Sequence, residues 1–309
     1  MERRMLAVQD GQVSYLMGGQ NLPTAPLVFV HGLTIDARTW VPIARKLGQR
    51  RWFALDLPGH GASEWCDDYS YQRDAEVLIA LITQLGEPSL AVGHSRGAQV
   101  CLLAASMRPD LFLAMYLEDL TPRFWWEAPE RGLAFAASVF RLRGIAETAR
   151  EQNQDATWIA SQIGRLRHDS STTFAQRLTR SELRVWAESI MSFDPDVLGR
   201  KGNFGPPQQS AADILASIAG PVHLAHGEPA HGSAVTEEEL TWFHAEARQG
   251  SSTAFLGLGH FLHGARPTEF AKDLCAFLER TQLLTPPVSR SSTRGRPGTR
   301  YRAAHPPRS

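Results

Sequence analysis

The chain has 309 residues, of which 43% are hydrophobic and 9% aromatic, so its length and composition allow the core of one large domain. Lysine and arginine together number 32, as do aspartate and glutamate, so net charge gives no reason to expect nucleic acid or an anionic membrane as the main partner. We therefore expect a small ligand that is not highly charged, and the composition leaves the oligomeric state open.

The cysteines and the N-terminal segment restrict the setting of the protein. Cys66, Cys101 and Cys275 are too few and too far apart for a disulfide framework or a zinc site. Residues 1–19 begin with charges but continue with only a short apolar patch, and no segment reaches about 18 uninterrupted apolar residues. The sequence therefore predicts a reduced cytoplasmic setting, no secretory signal, no membrane span and no bound metal.

Short β-type runs alternate with helix-patterned stretches in the first third of the chain. The β-type runs are PLVFVHG (26–32), RWFALDLPGHG (51–61) and SLAVGHS (89–95). The helix-patterned stretches, TWVPIARKLG (39–48) and YQRDAEVLIALITQLG (71–86), each end on a glycine that can cap a helix. This alternation predicts an α/β fold with a mostly parallel, doubly wound sheet that is covered on both faces.

The same pattern continues later in the chain. A further β-type run lies in LFLAMYLEDLTP (111–122), and two more lie in GPVHLAHGEP (220–229) and STAFLGLGH (252–260). A last helix is predicted from Pro267 to Thr281.

A long interruption separates the two groups of strands. Apolar residues recur there at spacings of three and four, which predicts helices. We therefore predict a core of residues 1–122, a helical cap of residues 123–215 and a second part of the core at 216–284. The remaining residues, 285–309, are rich in Pro, Gly, Ser and Arg without apolar periodicity, and are predicted to form a disordered tail.

The segment Gly93-His94-Ser95-Arg96-Gly97 carries the strongest chemical signal. It stands between a predicted strand and a predicted helix, and its glycines permit a sharp turn that exposes the Ser95 hydroxyl. This is the G-x-S-x-G pattern, and here the chain resembles the α/β-hydrolase family. The resemblance implies that Ser95 is a nucleophile.

Three further segments resemble loops of that family in the same order. FVHGLTIDARTW (29–40) implies an oxyanion hole formed by the backbone N–H groups of Leu33 and Arg96. ALDLPGHGASE (54–64) contains Asp56, which we interpret as a turn residue because prolines and glycines surround it. FLGLGHFLHGARPTEF (255–270) carries the general base that a serine hydroxyl needs.

The base is assigned to one of two nearby histidines. His260 follows Gly-x-Gly at the end of the last predicted strand, as the resemblance requires, whereas His263 is the alternative three residues later. His31 and His94 lie in the other two motifs and are interpreted as structural or pocket-lining residues.

The carboxylate that orients the histidine departs from the commonest family pattern. That pattern places an aspartate in Gly-x-x-Asp after the penultimate strand, where this chain has Ala230. Some family members carry the acid after the strand that follows the nucleophile helix, and Asp119 fits that position. We therefore assign Asp119 as the acid, with Glu118 and Glu228 as alternatives.

The substrate is predicted to be small and mostly apolar. Phe124, Trp125 and Trp126 closely follow the assigned acid in the sequence. Together with His31, they are expected to contact the substrate. The matched loops offer few cations beyond Arg38 and Arg96, which favours an uncharged substrate over a phosphorylated one.

The resemblance thus implies a serine hydrolase that cleaves a small hydrophobic ester, thioester or lactone through an acyl-enzyme, with no metal or organic cofactor. A carbon–carbon bond hydrolase or a cofactor-free lyase would use the same three side chains. A small-molecule receptor without activity is the alternative from another class, because fold alone does not determine function.

Overall fold

One sheet organises the described residues, which in this computed structural model are 1–20, 22, 24–120, 123, 129–168, 171–198 and 209–281, the side chains of 129–139 excepted. Within them, eight strands are arranged in the order β1-β2-β4-β3-β5-β6-β7-β8. The strands are β1 (Glu2–Val8), β2 (Gly11–Gly18), β3 (Leu27–Val30), β4 (Trp52–Leu55), β5 (Ser89–His94), β6 (Phe112–Glu118), β7 (Val222–His226) and β8 (Gly250–Ala254).

The six strands from β3 to β8 are parallel to their neighbours, whereas β1 and β2 are antiparallel to each other and β2 is antiparallel to β4. The predicted α/β class with a mostly parallel sheet is confirmed. The antiparallel pair was not predicted. Its sequence signal is Asp10-Gly11 between two partly alternating runs, a dipeptide typical of tight hairpins, and Gly11 has φ of +123°.

Helices cover both faces of the sheet, as predicted. They are α1 (Val41–Ala44), α2 (Tyr71–Leu85), α3 (Arg96–Met107), α4 (Pro129–Glu151), α5 (Ala156–Arg165), α6 (Phe174–Arg177), α7 (Arg180–Ser192), α8 (Ala211–Ser217), α9 (Glu237–Glu246), α10 (Leu262–Ala265) and α11 (Pro267–Arg280). Apolar residues of α2, α3, α8 and α9 form the core on one face. Residues of α1 and α11 form the core on the other face, where Trp40 stacks on Phe29.

The ends predicted from the sequence are accurate for one helix and inaccurate for another. Helix α2 begins after Ser70, whose hydroxyl accepts the Arg73 N–H, and ends at Gly86, which has the predicted left-handed conformation. The helix predicted over residues 39–48 is shorter in the structure, because a 3₁₀ turn over Ala37–Trp40 precedes α1 and α1 ends before Gly48.

The segment between β6 and β7 contains helices α4 to α7, which we call the inserted helices. Their helical character was predicted. They share a separate apolar cluster that includes Ile159, Ile163 and Ile190. Two polar contacts join them to the loop after β3: the Trp186 indole N–H donates to the Thr34 hydroxyl at 3.1 Å, and Arg38 pairs with Glu188 at 3.0 Å.

Two predictions fall outside the described residues. These are the disordered tail at 285–309 and the three aromatic residues Phe124, Trp125 and Trp126. Among the helices that are described, none combines the length and the apolar character that a membrane span requires.

Candidate active site

Ser95 lies at a sharp turn between β5 and α3. Its backbone has φ of +52° and ψ of −118°, a conformation that costs a non-glycine residue free energy. The two flanking glycines allow the turn, because a Cβ at Gly97 would collide with the carbonyl oxygen of Val30 and one at Gly93 would lie 2.7 Å from the Ala98 Cα. The strand-to-turn-to-helix context predicted for G-x-S-x-G is thus present.

The structure brings Ser95, His260 and Asp119 together in one hydrogen-bonded chain. The His260 Nε2 atom lies 2.9 Å from the Ser95 Oγ atom, and its Nδ1 atom lies 2.7 Å from Asp119 Oδ2. With the proton on Nδ1, the imidazole donates to the carboxylate and its Nε2 can accept the serine proton. Ser95 is 3% exposed and Asp119 is fully buried, so these two residues are shielded from water, whereas the His260 side chain between them is partly exposed.

The position of Asp119 follows from the end of β6. Its N–H donates to the Ala225 carbonyl oxygen on β7 at 2.8 Å, and its own φ is +50°. The buried carboxylate also accepts hydrogen bonds from the Gly227 N–H at 3.1 Å, the Ala234 N–H at 3.0 Å and the Ser233 hydroxyl. These donors give the buried carboxylate the hydrogen-bond partners that a buried polar group requires.

Sequence reasoning missed these three donors. All belong to the loop after β7, which is where the commonest family pattern would place the acid itself. Nothing in Gly227, Ser233 or Ala234 as residue types indicated a partner 108 to 115 positions away.

The two alternative acids have other partners. Glu118 accepts hydrogen bonds from the backbone N–H groups of Leu262 at 2.7 Å and His263 at 2.9 Å, and from the His263 ring at 2.5 Å. Glu228 accepts the Gly257 N–H at 2.5 Å. The carboxylate hydrogen-bonded to His260 is that of Asp119, whereas Glu118 anchors the short helix that follows His260.

His263 is part of this buried anchor. Its Nε2 lies 2.6 Å from the Thr39 hydroxyl, and its ring stacks on Trp40 with centroids 4.0 Å apart. Burial alone would raise the pKa of Glu118, but the neighbouring His263 and His94 and the hydrogen bonds from His263 keep that pKa below its ordinary value. The rival base is thus engaged away from Ser95.

His94, Glu118 and His263 also form the one cluster of possible metal ligands found among the described residues. The ring nitrogen of His263 and the carboxylate oxygen of Glu118 are 2.5 Å apart, which is a hydrogen-bond distance. Two atoms each about 2.1 Å from one zinc ion at a tetrahedral angle stand more than 3 Å apart. The arrangement is therefore a hydrogen-bonded pair rather than a coordination sphere.

The predicted oxyanion donors belong to the segment after β3 and to the start of α3. Leu33 follows β3 and lines the same cavity as Ser95, while Arg96 is the first residue of α3, where helix N–H groups have no acceptor within the helix. The Arg96 side chain points away and is 1% exposed. Its guanidinium donates to Asp74 at 2.7 Å and to the Tyr69 carbonyl oxygen at 2.6 Å.

This buried ion pair perturbs both partners. Burial raises the pKa of Asp74 to about 6, although the adjacent Arg96 opposes that shift. Burial would lower the pKa of Arg96, but Asp74 raises it above its ordinary value. The pair joins the first turn of α2 to the first turn of α3 and so braces the turn that carries Ser95.

His31 and His94 have different surroundings. His31 is fully buried; its Nε2 accepts the Leu57 N–H at 3.0 Å and its Nδ1 donates to the Gly32 carbonyl oxygen at 2.7 Å. His31 is not among the described residues that line the cavity, and its contact with substrate stays a prediction. His94 does line the cavity, and burial lowers its pKa well below the usual value, so it is neutral at pH 7.

Asp56, interpreted as a turn residue, lies in the loop after β4 and connects separate segments of the core. Its buried carboxylate accepts the N–H groups of Ala37 at 2.8 Å and Ala62 at 3.2 Å, and it pairs with Arg3. It therefore joins its own loop after β4 to the segment after β3 and to strand β1, and it is not among the cavity residues.

A cavity of about 170 Å³ opens over Ser95 and His260. Its described lining is mostly apolar and comes from the core loops and the inserted helices: Leu33, Thr34, Ile35, His94, Arg141, Leu142, Leu166, Arg167, His168, Phe174, Trp186, Gly232 and Phe261. Sequence reasoning missed the contributors from α4 to α7, because apolar helical spacing does not show which side of an inserted helix faces a site.

Comparison with known proteins places this geometry in a family. The alpha/beta hydrolase family model matches residues 27–273. Esterase Rv0045c of Mycobacterium tuberculosis is 37% identical over 118 residues, which cover 37% of this chain and 39% of that protein. Lipase LipV of the same organism is 35% identical over 100 residues, 31% of this chain and 38% of that protein. The matches thus span about two fifths of the length of these relatives.

Solved structures agree on the fold. The crystal structure of E-2-(acetamidomethylene)succinate hydrolase superposes with a TM-score of 0.70, covering 90% of this chain and 99% of that one at 18% identity. That identity supports the fold alone. Because the family model spans most of the sequence and the fold agrees, this chain belongs to the α/β-hydrolase family.

Proposed function

We propose that the protein hydrolyses a small, mostly apolar ester through an acyl-enzyme on Ser95. The observation that carries this proposal is the single imidazole of His260, which lies 2.9 Å from the Ser95 hydroxyl and 2.7 Å from the buried Asp119. Because a serine hydroxyl is a poor nucleophile at neutral pH, a base in contact with it is what ester cleavage requires. The esterase and lipase among the relatives support the same bond type.

The steps follow from the positions of these groups. The Ser95 oxygen attacks the ester carbonyl while His260 Nε2 takes its proton, and Asp119 stabilises the imidazolium that forms. The N–H groups of Leu33 and Arg96 donate to the negative oxygen of the tetrahedral intermediate. His260 then protonates the leaving alcohol, and a water that His260 deprotonates releases the acid.

The inserted helices act as the predicted cap in this proposal. Leu142 and Leu166, together with Phe174 and Trp186, lie over Ser95 and supply an apolar wall. A dry, apolar wall strengthens the electrostatic contacts that stabilise the intermediate. A cavity of about 170 Å³ limits the group it encloses to roughly the size of a six-membered ring or a short chain, since an engineered cavity of about 150 Å³ binds benzene.

A fluorophosphonate probe tests this proposal directly. The wild-type protein should be labelled at Ser95, and Ser95→Ala should show no labelling and no turnover of p-nitrophenyl butyrate. Circular dichroism of Ser95→Ala controls for folding; among the described residues the Ser95 hydroxyl hydrogen-bonds to His260 alone, so its removal should leave the fold intact. A folded wild-type protein that neither reacts with the probe nor cleaves p-nitrophenyl esters of two to ten carbons would overturn the proposal and favour a receptor.

A further inference from the structure

We propose that the group filling the cavity carries a carboxylate at its end remote from the ester bond, held by Arg141 and Arg167. The inference rests on the proposed ester hydrolysis and names the class of substrate for it. It differs from the uncharged substrate expected from the core loops, because both arginines belong to the inserted helical segment.

The two arginines reach the cavity from different elements. Arg141 precedes the cavity residue Leu142 on α4, and Arg167 follows Leu166 just after α5. Both line the same cavity as Ser95, and both are exposed. They therefore stand at its solvent end, whereas Ser95 lies at its buried end with 3% exposure.

Neither guanidinium is neutralised by a described carboxylate. Other arginines of the inserted helices have glutamate four residues further on: Arg143 pairs with Glu147 at 2.8 Å and Arg184 with Glu188 at 2.9 Å. For Arg141 the corresponding position is Ile145. The described lining of the cavity contains no aspartate or glutamate. Within the described residues, the solvent end of the cavity therefore carries two positive charges without a counter-charge.

The buried end of the cavity offers no such charge. The Arg96 guanidinium, next to Ser95 in sequence, is turned away and bonded to Asp74 at 2.7 Å. His94 is neutral at pH 7 because burial lowers its pKa well below the usual value. A carboxylate near the ester bond would thus lose its hydration without gaining a cation as partner. A carboxylate at the solvent end of the cavity would contact the two arginines. The charge is therefore expected at the far end of an apolar chain.

Matched ester pairs test this directly. On the acyl side, mono-p-nitrophenyl adipate is compared with p-nitrophenyl hexanoate, which has the same six carbons without the second carboxylate. On the alcohol side, 6-acetoxyhexanoate is compared with hexyl acetate. One of the two pairs should show a preference in kcat/KM of at least about fivefold for the carboxylate, and that pair identifies which half of the ester fills the cavity.

The arginine variants supply the decisive readout. Arg141→Gln and Arg167→Gln should each reduce the carboxylate preference about three- to tenfold and leave kcat/KM for the neutral partner within about twofold. Arg165→Gln is the matched control, because Arg165 is also exposed but does not line this cavity. Raising ionic strength from 0.05 to 0.5 M should weaken the wild-type preference, since both arginines are exposed to screening.

Two outcomes overturn the inference: hydrolysis of both neutral esters without a carboxylate preference, or equal effects of Arg165→Gln and the two cavity variants. Binding to Ser95→Ala separates this from failure of the proposed function. Monomethyl adipate should quench the fluorescence of cavity-lining Trp186 at lower concentration than methyl hexanoate, and the difference should disappear in Ser95→Ala with Arg141→Gln and Arg167→Gln. Selective binding without any turnover would refute ester hydrolysis and keep the anionic ligand; unselective binding would refute the ligand.

Discussion

Replacing Asp119 by asparagine tests the least usual member of the proposed triad. Both carboxylate oxygens are committed: Oδ1 accepts the Gly227 N–H and the Ser233 hydroxyl, and Oδ2 accepts the Ala234 N–H and the His260 ring. An asparagine has nearly the same size but only one accepting oxygen. Its NH₂ group must therefore face a backbone N–H at whichever side it occupies.

The loss of activity can be worked out for each orientation. With NH₂ toward His260, the imidazole is driven to the tautomer that carries its proton on Nε2, which cannot accept the Ser95 proton; this error costs about 10⁴ in kcat. With oxygen toward His260, the tautomer is right but the imidazolium loses its negative partner. Two charges about 4 Å apart at an effective dielectric of about 20 interact by about 4 kcal/mol, which corresponds to about 10³ in rate.

Stability should fall as well. Either orientation leaves one buried N–H, that of Gly227 or Ala234, facing another donor, and such an unsatisfied group costs about 1–3 kcal/mol. We therefore expect Asp119→Asn to remain folded with a melting temperature lower by several degrees, and to lose at least about 10³ in kcat.

The assay is steady-state turnover of a p-nitrophenyl ester, with circular dichroism melting on the same samples. Ser233→Ala is the control, because it removes one hydrogen bond to Asp119 and leaves the charge in place; it should cost about tenfold or less in kcat. Glu228→Gln should be close to neutral in kcat. A folded Asp119→Asn with kcat within about threefold of wild type would refute the reasoning.

Three further predictions concern the surroundings of the site. Glu118→Gln should lower the free energy of unfolding by about 1–3 kcal/mol in urea titrations, because Glu118 accepts two backbone N–H groups and the His263 ring; an unchanged midpoint would contradict this. His263→Ala should lose stability by a similar amount yet keep at least about a tenth of kcat, whereas His260→Ala should lose turnover, and equal kcat losses would count against His260 as base. Burial lowers the pKa of His60 and His94 well below the usual value, so as pH falls below 6.5 the unfolded chain gains protons that the folded chain does not. Each of these two histidines should reduce stability by about 1 kcal/mol by pH 6, and the lowered pKa of His31 acts in the same direction. His60→Gln should reduce the slope of unfolding free energy against pH between 7.5 and 6, and an unchanged slope would show that His60 does not contribute. Asp74 acts in the opposite direction: because burial raises its pKa to about 6, it increases the stability of the folded protein as pH falls from 6 to 4.

The sequence predicts best what is dictated locally. Ser95 is recognisable because a turn with φ of +52° between a strand and a helix needs the glycines on either side, and these are visible in five letters. The alternation of strand and helix predicts the parallel sheet for a similar reason, since each period is read within a short window. The N-terminal hairpin was available by the same means, through Asp10-Gly11, and was overlooked.

What depends on distant contacts could not be read in this way. The lining of the cavity by Arg141, Arg167 and Trp186 depends on how the inserted helices rotate over the core, which contacts such as Trp186 to Thr34 decide. The partners of Glu118 lie 144 and 145 residues away, so an adjacent Glu-Asp pair on a strand gave two candidates and no means of choosing beyond the alternation of faces.

The position of the proposed acid directly after β6, instead of after β7, has a geometric explanation. The two strands are parallel neighbours, paired from Met115 with Val222 to Glu118 with Ala225, so their carboxyl ends lie side by side at the same edge of the sheet. A carboxylate side chain that directly follows either strand can therefore reach an imidazole above that edge. Here the carboxylate follows β6, and the loop after β7 turns back over it. This loop donates hydrogen bonds to the Asp119 carboxylate from Gly227, Ser233 and Ala234. In the proposed triad, Ala230 therefore stands where the commonest pattern has the acid, and the loop that contains Ala230 donates hydrogen bonds to Asp119 instead.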